Sequence, residues 1–523
     1  MAKFSDKWVQ EKDPVGNITK EYFVDSEEIT EGDKKIKIPY RSFNWRLGFP
    51  ASFMRWFRLH LGKKYRVIGK NVKGHEIYGY AQDPVRHHLF SLIVQYANLL
   101  LAYNFFSYYF GANISFLAVA FFITHPISTQ CVAWISGIGY LLSLFFALLN
   151  FNLLLLTHNY YITIPATVAL TFLSANFLLP GCFNFILLAS LGWGWEAGAA
   201  GLVSFVILFT WGREVVRFRV KAFKEQQMEA TTKVTWRRGI LLFKTVWYYL
   251  KLLVFPKRLG LFHKWGYHFE EPLQRIDRMF WLGILTVAVF ALASFKGPFL
   301  ILFASLWIGA YLFIFLNLIT AQQFVVDRYV FMSSLGFCLL LAYLLEPYPI
   351  LSAFLIGIYV MRIWVHLPTY KDDEHYYSSN YFNFPDSEVA LGNLGVVVMG
   401  KGRAGTAIDL WNKSVSIYPW YDVAHYNLYS IFRSNGVLPL AKDYLQKCLD
   451  AKIVHFPEQW NKEMEHLNRD IAIQNKMNEF NQAMNNAINQ NKLEDITKIK
   501  EELASFHKFL AEQQAQAQAA QKK

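Results

Sequence analysis

The chain has 523 residues, 54% of them apolar, and a formal charge of +13; ordinary globular chains are about half apolar too, so composition alone does not set the class. Four scattered cysteines, Cys131, Cys182, Cys338 and Cys448, have no paired spacing and argue against a disulfide framework or a zinc site. The basic residues from Arg213 to Arg238 fall between two apolar blocks, so a positive-inside cytoplasmic loop outweighs nucleic-acid binding.

Clustering of the apolar residues decides what totals cannot. Residues 1–87 are polar and open with no charged-then-apolar leader pattern. The first 48 read as partly disordered with short extended pieces. In 49–61, Phe53, Trp56, Phe57 and Leu59 alternate with Arg55, Arg58 and His60. An interfacial amphipathic helix and a soluble helix packed on its own domain both fit this pattern.

Residues 88–367 then give one nearly uncharged run after another. Several approach the roughly 20 residues that cross about 30 Å of hydrocarbon as a helix. Lipid offers the backbone no hydrogen-bond partners, so helices are expected. The runs predict about nine spans, at 88–110, 113–124, 131–156, 160–179, 182–211 in one or two passes, 279–296, 298–319, 330–346 and 349–366. Aromatics at run ends, such as Tyr108, Tyr109, Tyr160 and Tyr161, suit interfacial belts. The stretch 240–262, interrupted by Lys251, Pro256, Lys257 and Arg258, predicts a helix lying in the interface.

Beyond Pro368 the chain turns polar and repeats itself. Asn393, Gly402 and Ala407 recur as Asn427, Gly436 and Ala441, each 34 positions on. That is the tetratricopeptide (TPR) period, and it predicts helix–turn–helix units over 368–474. Flanking helices must complete a core that two units cannot bury. The tail, 475–523, is rich in Asn, Gln, Lys and Ala with a broken apolar stripe. A solvated helix or a coiled coil for a partner fits it, with a disordered end. The expected fold is therefore all-α: a polytopic transmembrane bundle, a short TPR solenoid and a helical tail.

Several blocks, in order, resemble the TPR-containing membrane O-mannosyltransferases, which have a C-type glycosyltransferase core. They are His88, Ser91, Gln95 and Asn98 on one helical face; His125-Pro126 through Gln130 to Trp134, Ser136 and Gly137; Trp195-Glu196; Tyr249 to Leu253 with Pro256 and Leu259; and Asp327-Arg328-Tyr329 through Ser334 to Gly336. Thr369 to Asp372 and the repeat complete the order.

The resemblance implies transfer of mannose from a polyprenyl-phosphate carrier to Ser or Thr hydroxyls. Such chemistry needs a carboxylate base or metal ligand, and cations to steady the departing phosphate. Here Gln130 stands where the family has Glu, Ile138-Gly139-Tyr140 replaces a charged stretch, and Trp195 replaces Lys. A neutral amide is neither base nor strong metal ligand.

Two carboxylates remain as candidate catalytic residues. Glu196 lies in an apolar segment, where a carboxylate is costly enough to signal function, though nearby glycines are equally consistent with a wetted helix break. Asp83, beside His87 and His88, offers a substitute base or merely interfacial polarity. His125, Asp327, Arg328 and His88 are the candidate lipid-phosphate pocket; each also has a plain structural reading as a helix-end or ion-pair residue. The residues alone point to no cofactor and no metal site; an active form would use a polyprenyl-phosphate sugar donor with a divalent cation. The resulting expectation is a non-catalytic scaffold with membrane lipid around it and protein partners at the TPR region and tail; the rival is an active glycosyltransferase. A bacterial inner membrane is the expected home, with the endoplasmic reticulum as the alternative.

Overall fold

The computed structural model describes six strands between residues 7 and 82, then residues 84–134, 137–157, 206, 236–260, 275–316, 325–451 and 457–521. Contacts divide the chain at Lys401 and Gly402 into two units. The first contains the apolar helices, and the second most of the polar C-terminal part.

From Pro84 onward every described element is a helix; the N-terminal segment is not. Its strands are β1 (Lys7–Lys12), β2 (Ile18–Val24), β3 (Glu28–Glu31), β4 (Lys34–Lys37), β5 (Lys63–Lys70) and β6 (Glu76–Gln82). They pair as a four-stranded sheet in the order β1-β2-β6-β5 and a separate β3-β4 hairpin. The all-α expectation is corrected for this segment. Short runs rich in Tyr, Val and Ile suit a pleated backbone, and the apolar spans downstream mask so weak a signal. The amphipathic stretch 49–61 lies outside the described residues.

The apolar helices are α1 (Pro84–Phe110), α2 (Ala112–Thr124), the short α3 (Ser128–Ala133), α4 (Ile138–Thr157), α5 (Trp236–Val254), α6 (Arg278–Lys296), α7 (Phe299–Leu312), α8 (Phe331–Leu345) and α9 (Pro349–His366). Among the described residues four stretches are long and apolar enough to cross a membrane: Val85–Phe110, Arg278–Lys296, Asp327–Leu345 and Pro349–Tyr370. The sequence led to about nine. Helices α2 and α7, at 13 and 14 residues, rise only about 20 Å at 1.5 Å per residue, short of a full crossing. The spans expected over 160–211 lie outside the described residues.

One expected span is split. The run 131–156 is divided between α3 and α4, because Trp134 leaves the helix in an extended conformation and Gly137 folds back. A Cβ on Gly137 would lie 2.7 Å from the Cys131 backbone, so that approach requires glycine.

The core of this unit is aromatic. Phe105 of α1 stacks on Phe151 of α4 at 5.0 Å. Trp307 of α7, fully buried, donates from Nε1 to the Met332 carbonyl of α8 at 2.9 Å. Helix α5 packs along α6, where the buried Lys244 ammonium meets Asp277 at 2.6 Å. Asp277 also caps α6, accepting from Met279 N and Phe280 N. One carboxylate thus satisfies two orphan donors and a buried cation.

Two further helices close the first unit, α10 (Asp373–Asn383) and α11 (Glu388–Gly400). The second unit holds α12 (Ala404–Ile417), α13 (Asp422–Ser434), α14 (Leu438–Leu449), α15 (Pro457–Asn489) and α16 (Leu493–Gln521). The sequence repeat has a matching geometry. Gly402 and Gly436 both take a left-handed backbone, φ +79° and +73°, and Ala407 and Ala441 are both fully buried. Asn393 donates to the Val389 carbonyl one turn back, whereas the Asn427 amide nitrogen makes no hydrogen bond.

Helices α13, α14 and α15 share a core of Tyr429, Leu445, Cys448, Trp460 and Leu467. Arg433 of α13 ties it together, donating to Glu463, to Asp470 and to the Tyr429 hydroxyl. The boundary expected at residue 475 falls inside α15, and the tail helix runs on to Gln521.

His425 of α13 makes this core pH-sensitive. Its Nε2 lies 2.8 Å from the Pro419 carbonyl and, as the donor, leaves Nδ1 buried without a partner. Burial pushes its pKa below the ordinary 6.5. The unfolded chain therefore binds a proton that the folded one refuses, so the contribution to stability is complete above about 6.5 and declines as pH falls below it. Amide exchange across 422–449 should accelerate between pH 7 and pH 5 after correction for intrinsic rates. His425→Gln, which can still donate to Pro419, should flatten that dependence.

Candidate functional site

Helix α5 ends at Val254 and is followed by an irregular strap, Phe255 to Gly260. Its backbone leaves the helical ladder, so its N–H and C=O groups need other partners; Lys257 N bonds to the Phe255 carbonyl within the strap. Side chains from four other segments supply further partners. His125, just after α2, has Nε2 at 2.9 Å from the Leu253 carbonyl. Arg362 of α9 donates to the carbonyls of Pro256 and Lys257. Asn383 of α10 donates to the Leu259 carbonyl at 3.0 Å. Asp327 accepts from Gly260 N at 2.6 Å, a charge-assisted bond of the strong kind.

The strap is tightly enclosed at its Gly260 end. A Cβ on Gly260 would lie 2.6 Å from the Asn380 side-chain oxygen and 2.9 Å from the Phe384 ring. His125 is itself fixed: Ile127 N donates to its Nδ1 at 3.3 Å, which leaves Nε2 as the protonated nitrogen facing Leu253. Its ring lies edge-on to Tyr359 at 4.9 Å.

Beside the strap, Asp327 and Arg328 open a 3-10 turn, Asp327–Val330, leading into α8. The Arg328 backbone N–H donates to Gln130 Oε1 at 2.8 Å. Its guanidinium lies over the rings of Trp134 at 5.0 Å and Tyr329 at 5.4 Å, and Nε donates to the Tyr140 hydroxyl at 3.3 Å. Trp134 in turn stacks on Tyr376 of α10, at 6.3 Å and 15° between planes. A desolvated guanidinium against two aromatic faces is a fixed, well-held cation.

The Gln130 amide and the Tyr376 hydroxyl, both buried, lie within interaction distance of each other in this cluster. Burial pushes the Tyr376 hydroxyl above the ordinary phenol range, opposed by the Arg328 charge and the Gln130 amide. At neutral pH it is a neutral donor. The cluster thus offers a fixed cation with an amide and a phenol beside it, suited to an anionic or oxygen-rich group.

The structure places His125, Asp327 and Arg328 near the strap, with Gln130 bonded to the Arg328 backbone. His88 is half-buried; it is His87 that joins Ser91, Gln95 and Asn98 on the buried face of α1. There Ser91 donates to the His87 carbonyl and Asn98 to the Leu141 carbonyl of α4. Asp83 and Glu196, with Trp195, lie outside the described residues. Among the described residues no group of three His, Cys, Asp or Glu side chains is placed to hold a metal ion, so a divalent cation finds no ligand set in the part of the site described here.

Sequence reasoning passed over Arg362, Asn383, Tyr140 and Tyr376. Arg362 had a readable signal, since it interrupts the apolar run of α9 and such a cation needs a partner. Asn383 and Tyr376 had none, for they lie in a polar segment assigned to the repeat region.

Removing the Asp327 carboxylate should leave the Gly260 N–H buried and unpaired. Asp327→Ala is expected to cost about 1–3 kcal/mol, read as a lower melting temperature of the full chain in detergent. Asp327→Asn keeps an acceptor oxygen and should recover part of the loss. A scan against protein-family models finds no match to this chain, and a search of curated proteins finds none either.

Proposed function

We propose that the chain is a multi-pass membrane protein of the TPR-containing O-mannosyltransferase lineage, acting as a non-catalytic scaffold with protein partners at its C-terminal helices. The observation that carries this reading is the use made of the motif side chains. His125, Gln130 and Asp327 belong to the blocks that resemble the family, and each bonds a main-chain group of a distant segment. These bonds hold helix ends in register. Such a role preserves the packing of an ancestral bundle while the acidic chemistry at position 130 is replaced by an amide.

Four helices of membrane-crossing length support the bilayer setting. The repeated helix–turn–helix geometry at Gly402 and Gly436 supports a TPR reading of the C-terminal part, whose grooves suit peptide segments of other proteins. A bacterial inner membrane is the proposed location, and the endoplasmic reticulum the alternative.

A second reading is active transfer from a polyprenyl-phosphate sugar to protein Ser or Thr. One observation favours it: the Arg328 guanidinium, caged by Trp134, Tyr329 and Tyr140, is suited to a phosphate oxygen. Glu196 or Asp83 would then supply the base.

Membranes containing the full chain, incubated with a labelled polyprenyl-phosphate sugar, separate the two. The scaffold reading expects no label in protein above that of membranes lacking the chain. Label that depends on Glu196, and is lost in Glu196→Gln, would defeat it.

A further inference from the structure

Between α5, α6 and α7 lies a cavity of about 390 Å³, lined on the α5 side by Leu250 and Leu253 and entered by none of His125, Gln130, Asp327 and Arg328. It has a definite origin. Helix α6 is held against α5 near its start, where Lys244 grips Asp277 and Gly283 approaches the Phe243 carbonyl so closely that a Cβ would collide with it. Further along, Phe290 and Ser294 of α6 line a gap, with Phe337 of α8 as one boundary.

The lining is almost entirely hydrocarbon. Thr286, one of the few polar residues present, turns its hydroxyl back to the Leu282 carbonyl. Water needs only about 10–15 Å³ of such space, but it also needs two or more polar partners. Ser305 adds one buried hydroxyl without a hydrogen-bond partner, too little to hold water on its own, so a gap of this size and character favours an apolar occupant. Along α7 it extends from Leu302 to Leu312, about 15 Å at 1.5 Å per residue. That is half of the roughly 30 Å hydrocarbon core, the depth of one leaflet. The outer wall, α6, exposes Leu285, Val289 and Leu292, so the surrounding medium is the chain's natural source of an occupant.

We propose that this cavity holds one acyl chain of a bilayer phospholipid, seated between α6 and α7 as a resident lipid. The proposal rests on the reading that these helices lie in a membrane. Gly309 provides the means of testing it. It lines the cavity, and a Cβ built there meets no atom within 4 Å. A large side chain at this position would enter the space without striking protein.

The full chain would be extracted in detergent, exchanged exhaustively and weighed by native mass spectrometry, with lipid extraction to identify what remains bound. Wild type should retain one phospholipid per chain, and Gly309→Ala should retain the same, which controls for the helix-forming gain of losing glycine. Gly309→Phe should lose that lipid while melting no lower than Gly309→Ala stripped of lipid. A wild type that retains no lipid, retention of an isoprenoid in place of a phospholipid, or equal retention by Gly309→Phe would overturn the proposal. Alkaline extraction of the membranes separates the two levels of inference. If the chain stays with the membrane and holds no lipid, only the resident chain is refuted; if it is released as soluble protein, the membrane reading fails.

Discussion

The architecture of the first unit turns on one constraint: irregular backbone among apolar helices must find hydrogen-bond partners outside the helical ladder, several of them side chains. An unpaired peptide group buried there costs several kcal/mol. Between Leu253 and Gly260 the chain has four carbonyls and one N–H satisfied by His125, Arg362, Asn383 and Asp327. Those residues come from the end of α2, from α9, from α10 and from the turn before α8. A strap of a few residues thereby fixes the mutual placement of helices far apart in sequence. Aromatic packing fills the volume between them, but directional bonds select the one arrangement in which all these junctions are satisfied together.

The same constraint bears on the proposed lineage. Under that proposal, side chains that pair with backbone would be kept even where a site's chemistry changed. His125 has both ring nitrogens engaged by main-chain groups, so its neutral tautomer is fixed by architecture. Arg328 differs in kind. Its backbone N–H is used structurally by Gln130, but its guanidinium is held by rings and a phenol. Within one cluster, the anion Asp327 is tied to the frame through the Gly260 N–H, and the cation is oriented by two rings and a phenol.

Much of this was legible in the sequence, and the failures have physical causes. Helices α1, α6, α8 and α9 were placed within a few residues by apolar run length, since nothing else competes for such runs. The break at Trp134 to Gly137 was not legible, because the run 131–156 stays apolar through it. Only the tertiary approach of Gly137 to Cys131 forces the turn. Sites followed the same division. His125, Asp327 and Arg328 could be picked out as polar residues at the edges of apolar segments. Their partners are backbone groups of the strap, and backbone groups carry no sequence signature. The glycines at 402 and 436 were read as turns from their 34-residue spacing alone, and their left-handed backbone explains why glycine recurs there.

The amide at position 130 follows from the charge balance of the cluster. Asp327 is almost fully buried, and Arg328 beside it supplies one positive charge in a space walled by Trp134, Tyr140, Tyr329 and Tyr376. A carboxylate at position 130 would add a second negative charge to that space, and desolvation there is repaid only if a second cation is at hand. Gln130 Oε1 accepts from the Arg328 backbone N–H as a carboxylate oxygen would, but brings no charge with it. An amide at this position therefore makes the bond that positions α3 against the start of α8 without adding an acid. Any base acting in this cluster would have to come from elsewhere in the chain.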